Sequence, residues 1–434
     1  MRIALVALIL VVGAAFPAHA QTSSAVAAVV GRVLTVDDAI AVSLENQPQI
    51  QARLADYQAA RFRVDAALAP LLPQLTGSGI TTKSHLVQPS STGLTPVVIL
   101  NRDFPTTLNT SVQLSQLIFD FGKTYASVSA ARKLADVALA DVELQRQVIV
   151  QAVRTQYTNI NFAQRLTRVA QQSRDRAQLN LRSAQGGYEV GTRPKSEVVR
   201  AEVDVANANV SIIQATNAEQ LARVALNTAM GLPADTSVQI GDNLIYEPVS
   251  LDLGQLRRTA LEGRPEYRQA QLRVQAAEAS LRQATLNFLP NITGSGIYGG
   301  QTTSLNETWA ATLSFSWALF DGGGLIATYR ENKAKLESAR AQLRATQLTI
   351  DQDASQAFLI VREADQRIQA AQKAVESAQE NFRLAQGRFD AGVGTILELT
   401  DAQLALTQTQ NTEAQALADY RNGLANLERA VGRR

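Results

Sequence analysis

The sequence of 434 residues has no cysteine, two histidines, two methionines and few aromatic residues, which make up 5% of the chain. The absence of cysteine excludes disulfide bonds, thiol nucleophiles and thiolate metal sites. The two histidines are His19 and His85, so histidine-clustered metal sites and Ser-His-Asp triads within one chain are not expected. The net charge of +2 gives no reason to expect a nucleic-acid partner. Composition therefore predicts a protein that is not an enzyme and that has neither cofactor nor metal.

The first twenty residues have the pattern of a secretory signal peptide. Arg2 provides the positive charge, residues 3–16 form an apolar run, and Ala18-His19-Ala20 is a small-residue cleavage site. The run is too short to cross ~30 Å of hydrocarbon as a transmembrane anchor. The sequence thus predicts a cleaved signal peptide over 1–20, an N-terminal tail over 21–36, and export of the chain.

The remaining chain consists of two copies of one plan. An offset of 217 residues aligns Leu72-Pro73 with Leu289-Pro290, and an offset of 201 aligns Phe119-Asp120-x-Gly122 with Phe320-Asp321-x-Gly323. The difference of 16 residues is assigned to 83–105, where three prolines and a glycine predict a solvent-exposed loop. The predicted boundaries are 37–234 for the first structural repeat, 235–250 for an equatorial connector and 251–434 for the second repeat.

Each repeat is predicted to contain a helix, a strand pair, a long helix, a tight turn and a second long helix. Asp37 or Asp38 can cap the first helix, which Pro70 and Pro73 end. The matching helix of the second repeat is predicted from about Leu253 to Phe288. The strand pairs are placed at 74–119 and 291–320, and the turns, called tip 1 and tip 2 below, at 186–195 and 387–395.

The helices that follow the strands are predicted to be unusually long. Neither glycine nor proline occurs from Lys123 to Gln185 or from Leu325 to Gln386, and each run would extend ~95 Å as a helix. Two apolar stripes on the first of them favour neighbours on two sides, as in a ring of helices. The residues equally allow an antiparallel helical hairpin with one solvated face. The stripe of the second run has coiled-coil spacing: Ile326, Tyr329, Leu336, Leu343, Ile350, Ala354, Ala357 and Val361.

The strands alternate between apolar and small polar residues. From Trp309 to Leu319 every second residue is apolar, and Trp309 and Trp317 would lie ~26 Å apart on one strand. This separation is close to the height of an apolar band between aromatic girdles in a membrane barrel. A soluble antiparallel sheet with one buried face would show the same alternation. Four strands per chain cannot close a membrane barrel of eight or more strands, so several chains would have to share one.

The strand-to-helix motifs Phe119-Asp120-x-Gly122 and Phe320-Asp321-x-Gly323, together with both tips, resemble the outer-membrane efflux protein family of the TolC type. The resemblance covers nearly the whole mature chain. It implies a mainly α fold with a small β part: long antiparallel coiled-coil helices form a periplasmic tunnel, and four strands per chain enter a trimeric twelve-stranded transmembrane β-barrel. It also implies location in the outer membrane, with a large periplasmic portion and Trp309 and Trp317 as the membrane girdle.

The function that this resemblance implies is a passive exit duct for a tripartite efflux pump or a type I secretion system. The expected partners are two further chains in a homotrimer, outer-membrane lipid, a periplasmic adaptor (membrane fusion) protein, and an inner-membrane transporter of the RND, ABC or MFS type. The alternative is a periplasmic coiled-coil scaffold or adaptor without a membrane barrel. The cargo, whether small molecules, metals or proteins, stays open.

The same resemblance assigns roles to the two tips. Tip 2 departs from the family pattern, since Ala391 stands where valine is usual and Gly394 where a gate arginine is expected, whereas Arg193 has the equivalent place in tip 1. The residues expected to contact the adaptor are Tyr188, Glu189, Val190, Gly191, Thr192, Phe389, Asp390, Ala391 and Gly392.

Carboxylates just beyond the tips match the acidic rings of the family's periplasmic gate. They are Glu197, Glu398 and Asp401, and the last two are spaced to share a helical face. Threefold repetition would bring like charges together and favour cation binding. The alternative for Glu398 is a purely structural capping box with Thr395. Together with Arg193 these residues are the predicted gate.

Overall fold

The computed structural model describes residues 31–90, 98–103, 106–301 and 307–433. This part of the chain is mostly helical and contains three small sheets. The prediction of a mainly α protein with a small β part is thus confirmed. The predicted signal peptide, and residues 21–30 of the predicted tail, lie outside the described residues.

The first half of the chain has the predicted order of elements. Strand β1 (Val33–Leu34) is followed by helices α1 (Val36–Asn46) and α2 (Pro48–Leu68) and by a 3₁₀ turn over Ala69–Leu71. The strands and long helices follow: β2 (Gln74–Thr82), β3 (His85–Ser90), β4 (Val98–Asp103), β5 (Thr107–Phe119), α3 (Lys123–Glu189) and α4 (Lys195–Ala229).

The second half repeats this order, without counterparts of β3 and β4 among its described residues. Strand β6 (Gln239–Ile240) pairs in parallel with β1 and lies within the predicted connector. The remaining elements are α5 (Leu253–Gly263), α6 (Pro265–Leu286), β7 (Asn291–Gln301), β8 (Glu307–Ser316), α7 (Gly324–Asp390) and α8 (Ile396–Ala430).

The leading helix of each repeat is broken in two, and the prediction of one continuous helix is wrong at both places. Gln47 and Arg264 have extended backbone angles. Each of them precedes a proline, Pro48 or Pro265, and the proline ring disfavours the helical conformation of the preceding residue.

Thr35, rather than Asp37 or Asp38, caps α1. The hydroxyl oxygen of Thr35 accepts a hydrogen bond from the backbone N–H of Asp38 at 3.2 Å, and the Asp38 carboxylate accepts one from the backbone N–H of Thr35 at 3.1 Å. This reciprocal pair is a capping box. Hydrogen bonds from Arg32 and then from Thr35 lower the pKa of Asp38 to about 2.

Four strands form one antiparallel sheet in the order β2-β5-β7-β8. Strand β8 is shorter than predicted, because Asn291 pairs with Ser316 and the residue before Asn291 is Pro290, which has no N–H to extend the ladder. Trp317 therefore lies just beyond the strand, where its indole N–H donates to the carbonyl of Phe288 at 3.0 Å.

The region predicted as a loop over 83–105 contains a second ladder instead. Strand β3 pairs antiparallel with β4, from His85 opposite Asp103 to Ser90 opposite Val98. The 16-residue length difference between the repeats therefore includes a pair of antiparallel strands rather than only irregular chain. The backbone N–H and C=O groups of the two strands can bond to each other, whereas those of an irregular loop would bond to water.

The long helices have the predicted length. Helices α3 and α7 each have 67 residues, which corresponds to ~100 Å, and α4 and α8 each have 35. The predicted stripe on α7 is buried at Leu336, Ile350, Ala354, Ala357 and Val361 and exposed at Ile326. No described helix combines the length and the apolar composition of a membrane-spanning helix.

The chain divides into two compact units. The tip unit comprises residues up to Gln51, Gln145–Gly263 and the chain from Gln352 onward, and the sheet unit comprises Ala52–Leu144 and Arg264–Asp351. Each predicted repeat contributes to both units. Among the described residues, the tip unit contains three apolar clusters, of which one includes Tyr157, one Tyr420 and one Phe389.

The two strand-to-helix junctions of the sheet unit use an aspartate in the same way. The carboxylate of Asp120 accepts hydrogen bonds from the backbone N–H groups of Gly122 and Thr124 and from the Thr124 hydroxyl. Asp321 accepts from the backbone N–H groups of Gly323 and Leu325. The Phe-Asp-x-Gly motif thus caps a 67-residue helix at the end of a strand.

Candidate functional site

The candidate site lies at the two tips, where the long helices of the tip unit reverse direction. Helix α3 ends at Glu189 and α4 begins at Lys195, while α7 ends at Asp390 and α8 begins at Ile396. Gly191 and Gly392 take positive φ angles of 75° and 74°, which glycine adopts without a steric penalty. Both turns therefore lie where the sequence places them.

The backbone hydrogen bonds of the two tips correspond one to one. In tip 1 the N–H groups of Thr192 and Arg193 both donate to the carbonyl of Gly187, at 2.8 and 3.1 Å. In tip 2 the N–H groups of Val393 and Gly394 donate to the carbonyl of Arg388, at 3.0 and 2.9 Å. Any difference between the tips therefore comes from their side chains.

Arg193 connects tip 1 to tip 2. Its guanidinium lies 3.5 Å from the ring centroid of Phe389 and donates to the carbonyl of Phe389 at 2.9 Å. It also pairs with Glu197, one turn along α4, at 3.4 Å. Only 16% of the Arg193 side chain is exposed. The contact with Phe389 combines a cation–π interaction with a charge-assisted hydrogen bond.

Tip 2 has an arginine–glutamate pair of its own, in which the arginine precedes the turn instead of following it. Arg388 Nε lies 3.1 Å from Glu398, and both side chains are exposed. At the place equivalent to Arg193, Gly394 approaches the backbone so closely that a Cβ would lie 2.9 Å from the nitrogen of Phe389. Tip 2 therefore has no arginine at 394, and the arginine of its ion pair is Arg388. Arg388 was not among the predicted site residues. The signal that could have identified it is the offset of 201, which aligns Arg388 with Gly187 and so shows an exchange between the two tips.

The predicted gate carboxylates have three different surroundings. Glu197 is partly buried and paired with Arg193, and Glu398 is paired with Arg388. Asp401 is exposed and has no ion-pair partner among the described residues. The capping-box alternative for Glu398 is half formed: Thr395 accepts from the Glu398 N–H at 3.2 Å, but no bond returns from the Glu398 side chain to the backbone of Thr395.

A second polar link lies near the acidic residues. The hydroxyl of Thr400 on α8 donates to the carboxylate of Asp204 on α4 at 3.1 Å. Sequence reasoning did not single out Asp204, because an aspartate inside a helix has no local signature of a cross-helix partner. Asp204 is a further carboxylate on α4 and α8, in addition to Glu197, Glu398 and Asp401.

The predicted adaptor-contact residues divide into exposed and buried ones. Val190 is 75% exposed, and Tyr188 and Asp390 are exposed as well. Phe389 is completely buried, in a cluster with Ile396 and Leu399. The structure therefore gives Phe389 a packing position under Arg193 rather than a place on the surface. Val393, not among the predicted contacts, is nearly as exposed as Val190, at 70%.

Residues 39–232 and 256–433 match the outer membrane efflux protein family. The chain belongs to this family. The unmatched stretch between the two segments contains the predicted connector over 235–250.

Relatives of this outer membrane efflux protein match nearly end to end. It is 27% identical to the alkaline protease secretion protein AprF of Pseudomonas aeruginosa, with 91% of this chain and 84% of AprF covered. It is 26% identical to nodulation protein T of Rhizobium leguminosarum bv. trifolii, covering 87% and 82%. The outer membrane protein TolC of Escherichia coli is 24% identical, covering 89% and 80%.

Solved structures agree with the family assignment at the level of the fold. The outer-membrane channel OprN superposes with a TM-score of 0.77 at 21% identity, covering 92% of this chain and 89% of that one. VceC of Vibrio cholerae gives the same TM-score at 20% identity, covering 92% and 96%. The fold of this efflux-family chain is therefore that of the outer-membrane channels.

The sheet unit of this family member exposes many aromatic side chains at the end of the sheet that joins the helices. The predicted girdle included only Trp317 in this region, and Trp309 lies near the other end of β8. The sequence signal for the others was their clustering around the two Phe-Asp-x-Gly motifs. The exposed aromatic residues at this end are Phe119, Phe121, Tyr125, Phe288, Phe315, Trp317 and Phe320.

Proposed function

We propose that this chain is an outer-membrane channel that serves as the exit duct of a tripartite efflux pump or a type I secretion system. The observation that carries the proposal is the exposed apolar face of the four-stranded sheet. On β8, Trp309, Leu313 and Phe315 are all more than 60% exposed, while the alternate residues Ala310, Thr312 and Ser314 are small. Such a surface suits lipid on one face and water on the other.

The open edges of the sheet support a homotrimer. In the order β2-β5-β7-β8, strands β2 and β8 each have only one neighbour among the described residues. Exposed edge strands tend to pair with another chain. Three chains placed side by side, β8 of one against β2 of the next, would supply twelve strands and close the barrel. Outer-membrane lipid would then contact the apolar face of the barrel.

The tips support the docking of a periplasmic adaptor. Val190 and Val393 are exposed apolar residues at the very ends of the helical hairpins, and Tyr188 is half exposed beside them. Exposed apolar side chains at the end of a long helical hairpin are a surface that a partner's helices can cover. The adaptor in turn connects the duct to an inner-membrane transporter of the RND, ABC or MFS type, which supplies the energy.

A matched pair of variants tests the membrane position of the sheet. Leu313→Arg places a cation on the apolar face, which costs ~2–4 kcal/mol near the bilayer midplane, whereas Ser314→Arg places the same cation on the polar face. We expect the Ser314→Arg variant, and not Leu313→Arg, to appear in the outer-membrane fraction as a trimer. The scaffold or adaptor alternative predicts a periplasmic chain in which both variants behave alike.

A deletion strain distinguishes the two kinds of cargo. Loss of an efflux duct raises sensitivity to dyes and detergents, whereas loss of a secretion duct removes proteins from the culture medium. The full chain should restore the affected property, and Leu313→Arg should not. Restoration by Leu313→Arg would contradict the duct.

A further inference from the structure

The two tips differ by an exchange of one glycine and one arginine. Under the offset of 201, Gly187 corresponds to Arg388 and Arg193 corresponds to Gly394. Tip 1 therefore has glycine before the turn and arginine after it, and tip 2 has the reverse order. Because the backbone hydrogen bonds of the turns correspond, these two positions face each other in both tips.

Each glycine makes room for the side chain opposite to it. A Cβ at Gly187 would lie 2.6 Å from Cδ and 2.9 Å from Cγ of Arg193. A Cβ at Gly394 would lie 3.0 Å from Cβ of Arg388. Real Cβ atoms do not approach other atoms at 2.6 Å, so the arginine of tip 1 can take its observed course only if residue 187 is glycine.

The two arginines contact different partners. Arg193 crosses to the other hairpin and reaches the ring and carbonyl of Phe389, whereas Arg388 stays within its own hairpin and pairs with Glu398. Arg193 is largely buried, while 58% of the Arg388 side chain is exposed. Of the two, only Arg193 joins hairpin to hairpin, and an exposed ion pair within one hairpin adds little to their contact.

We propose that Gly187 is a positioning residue of the predicted gate: it seats Arg193, already expected to belong to that gate, on Phe389, and thereby allows Arg193 to clasp tip 1 to tip 2. Arg388 has no part in the clasp. Opening then requires the Arg193 guanidinium to leave the Phe389 ring and carbonyl. The gating role rests on the proposed function as a duct, whereas the clasp itself is a property of the tip unit alone.

The chain offers a matched control for this proposal. Gly186 and Gly187 are adjacent residues of α3, and alanine is a better helix former than glycine at both. A Cβ at Gly186 meets nothing within 4 Å. A purely helical effect predicts that Gly186→Ala and Gly187→Ala both tighten the tip. The clasp predicts that Gly187→Ala loosens it by displacing Arg193, while Gly186→Ala does not.

Hydrogen exchange of the full chain tests the clasp without reference to transport. We expect the amides of 389–395 in tip 2 to exchange about tenfold faster in Gly187→Ala and in Arg193→Ala, as for the loss of a hydrogen bond to a charged group. The double variant should exchange no faster than Arg193→Ala, since both changes remove one interaction. Exchange in Gly187→Ala at the rate of Gly186→Ala, or wild-type exchange in Arg193→Ala, overturns the clasp.

Conductance in planar bilayers tests the link to gating. Gly187→Ala and Arg193→Ala should open more often than the wild type, while Gly186→Ala and an Arg388→Ala variant should not. Faster exchange with unchanged opening would overturn the gating role of Gly187. A wild-type chain that forms no pore would instead contradict the proposed duct, and the exchange rates would still decide whether the clasp exists.

Discussion

The hydroxyl of Tyr157 donates a hydrogen bond to the carbonyl oxygen of Leu34, 2.7 Å away and 123 residues earlier in the chain. The carbonyl of Gly241 lies 2.9 Å from the same hydroxyl. Tyr157 on α3 thus faces the parallel pair β1–β6 from inside the tip unit. Burial raises the pKa of its hydroxyl, which therefore stays protonated as the donor.

Replacing Tyr157 with phenylalanine should destabilise the tip unit. The ring would still fill its buried position, but the carbonyls of Leu34 and Gly241 would lose the Tyr157 hydroxyl as a hydrogen-bond donor. We expect the free energy of unfolding to fall by ~1 kcal/mol, measured by urea denaturation. Tyr125→Phe removes a hydroxyl from a largely exposed side chain and should have no effect. Equal effects of the two variants would contradict the inferred role.

Asp38 should contribute to stability in a way that depends on pH. Its folded-state pKa of about 2 lies below the ordinary value of 3.8 because it bonds to Arg32 and Thr35. The ionised carboxylate therefore stabilises the folded chain above pH 3.8, and this stabilisation disappears as the pH falls toward 2. The difference in melting temperature between the wild type and Asp38→Asn should shrink over the same range.

The control for Asp38 is its neighbour. Asp37→Asn changes a carboxylate in the same helical turn and leaves the Thr35 capping box in place. A melting-temperature difference for Asp38→Asn that stays constant from pH 7 to pH 2 would show that the charge of Asp38 contributes nothing.

The two aspartate caps should differ in strength. Asp120 is buried and accepts three hydrogen bonds, whereas Asp321 is exposed and accepts two. Losing a cap costs ~0.5–2 kcal/mol, so we expect Asp120→Ala near the upper end of this range and Asp321→Ala near the lower end. Urea denaturation of the two variants provides the comparison, and a larger loss for Asp321→Ala would contradict it.

The gate carboxylates should contribute unequally to cation block of the channel. The charge of Glu398 is offset by Arg388 at 3.1 Å, whereas Asp401 has no ion-pair partner among the described residues. Asp401→Asn should therefore relieve block by divalent cations more than Glu398→Gln in single-channel recordings. Glu380→Gln removes a charge from an exposed pair elsewhere on α7 and should leave the block unchanged. Block that is unchanged in Asp401→Asn would exclude an acidic ring at this residue.

Most of the fold could be predicted because its signals are local. The absence of glycine and proline over more than sixty residues predicts α3 and α7, and glycines at 191 and 392 mark their ends. The predictions failed where a backbone feature depends on one neighbour. Pro48 and Pro265 break the leading helices, Thr35 displaces two aspartates as the cap, and Pro290 ends the pairing of β8.

The candidate site could be predicted in position but not in its connections. Arg193, Glu197 and Glu398 were identified by their places in the tips. Arg388, Gly187 and Asp204 were not, because their roles depend on atoms in another helix or across the turn. Phe389 was expected at the surface, and the structure buries it beneath Arg193.

By itself, the sequence determined the two repeats, the length of the helices, the location of the tips and the alternation of the strands, since these follow from spacing and from backbone preferences along the chain. Only the tertiary structure decided which arginine reaches which partner, because a glycine on one side of a turn sets the space available to the side chain on the other. Because the chain has two histidines and no cysteine, its specific contacts at the tips are made by other charged side chains and by packing. These contacts form only when helices that are distant in sequence lie side by side.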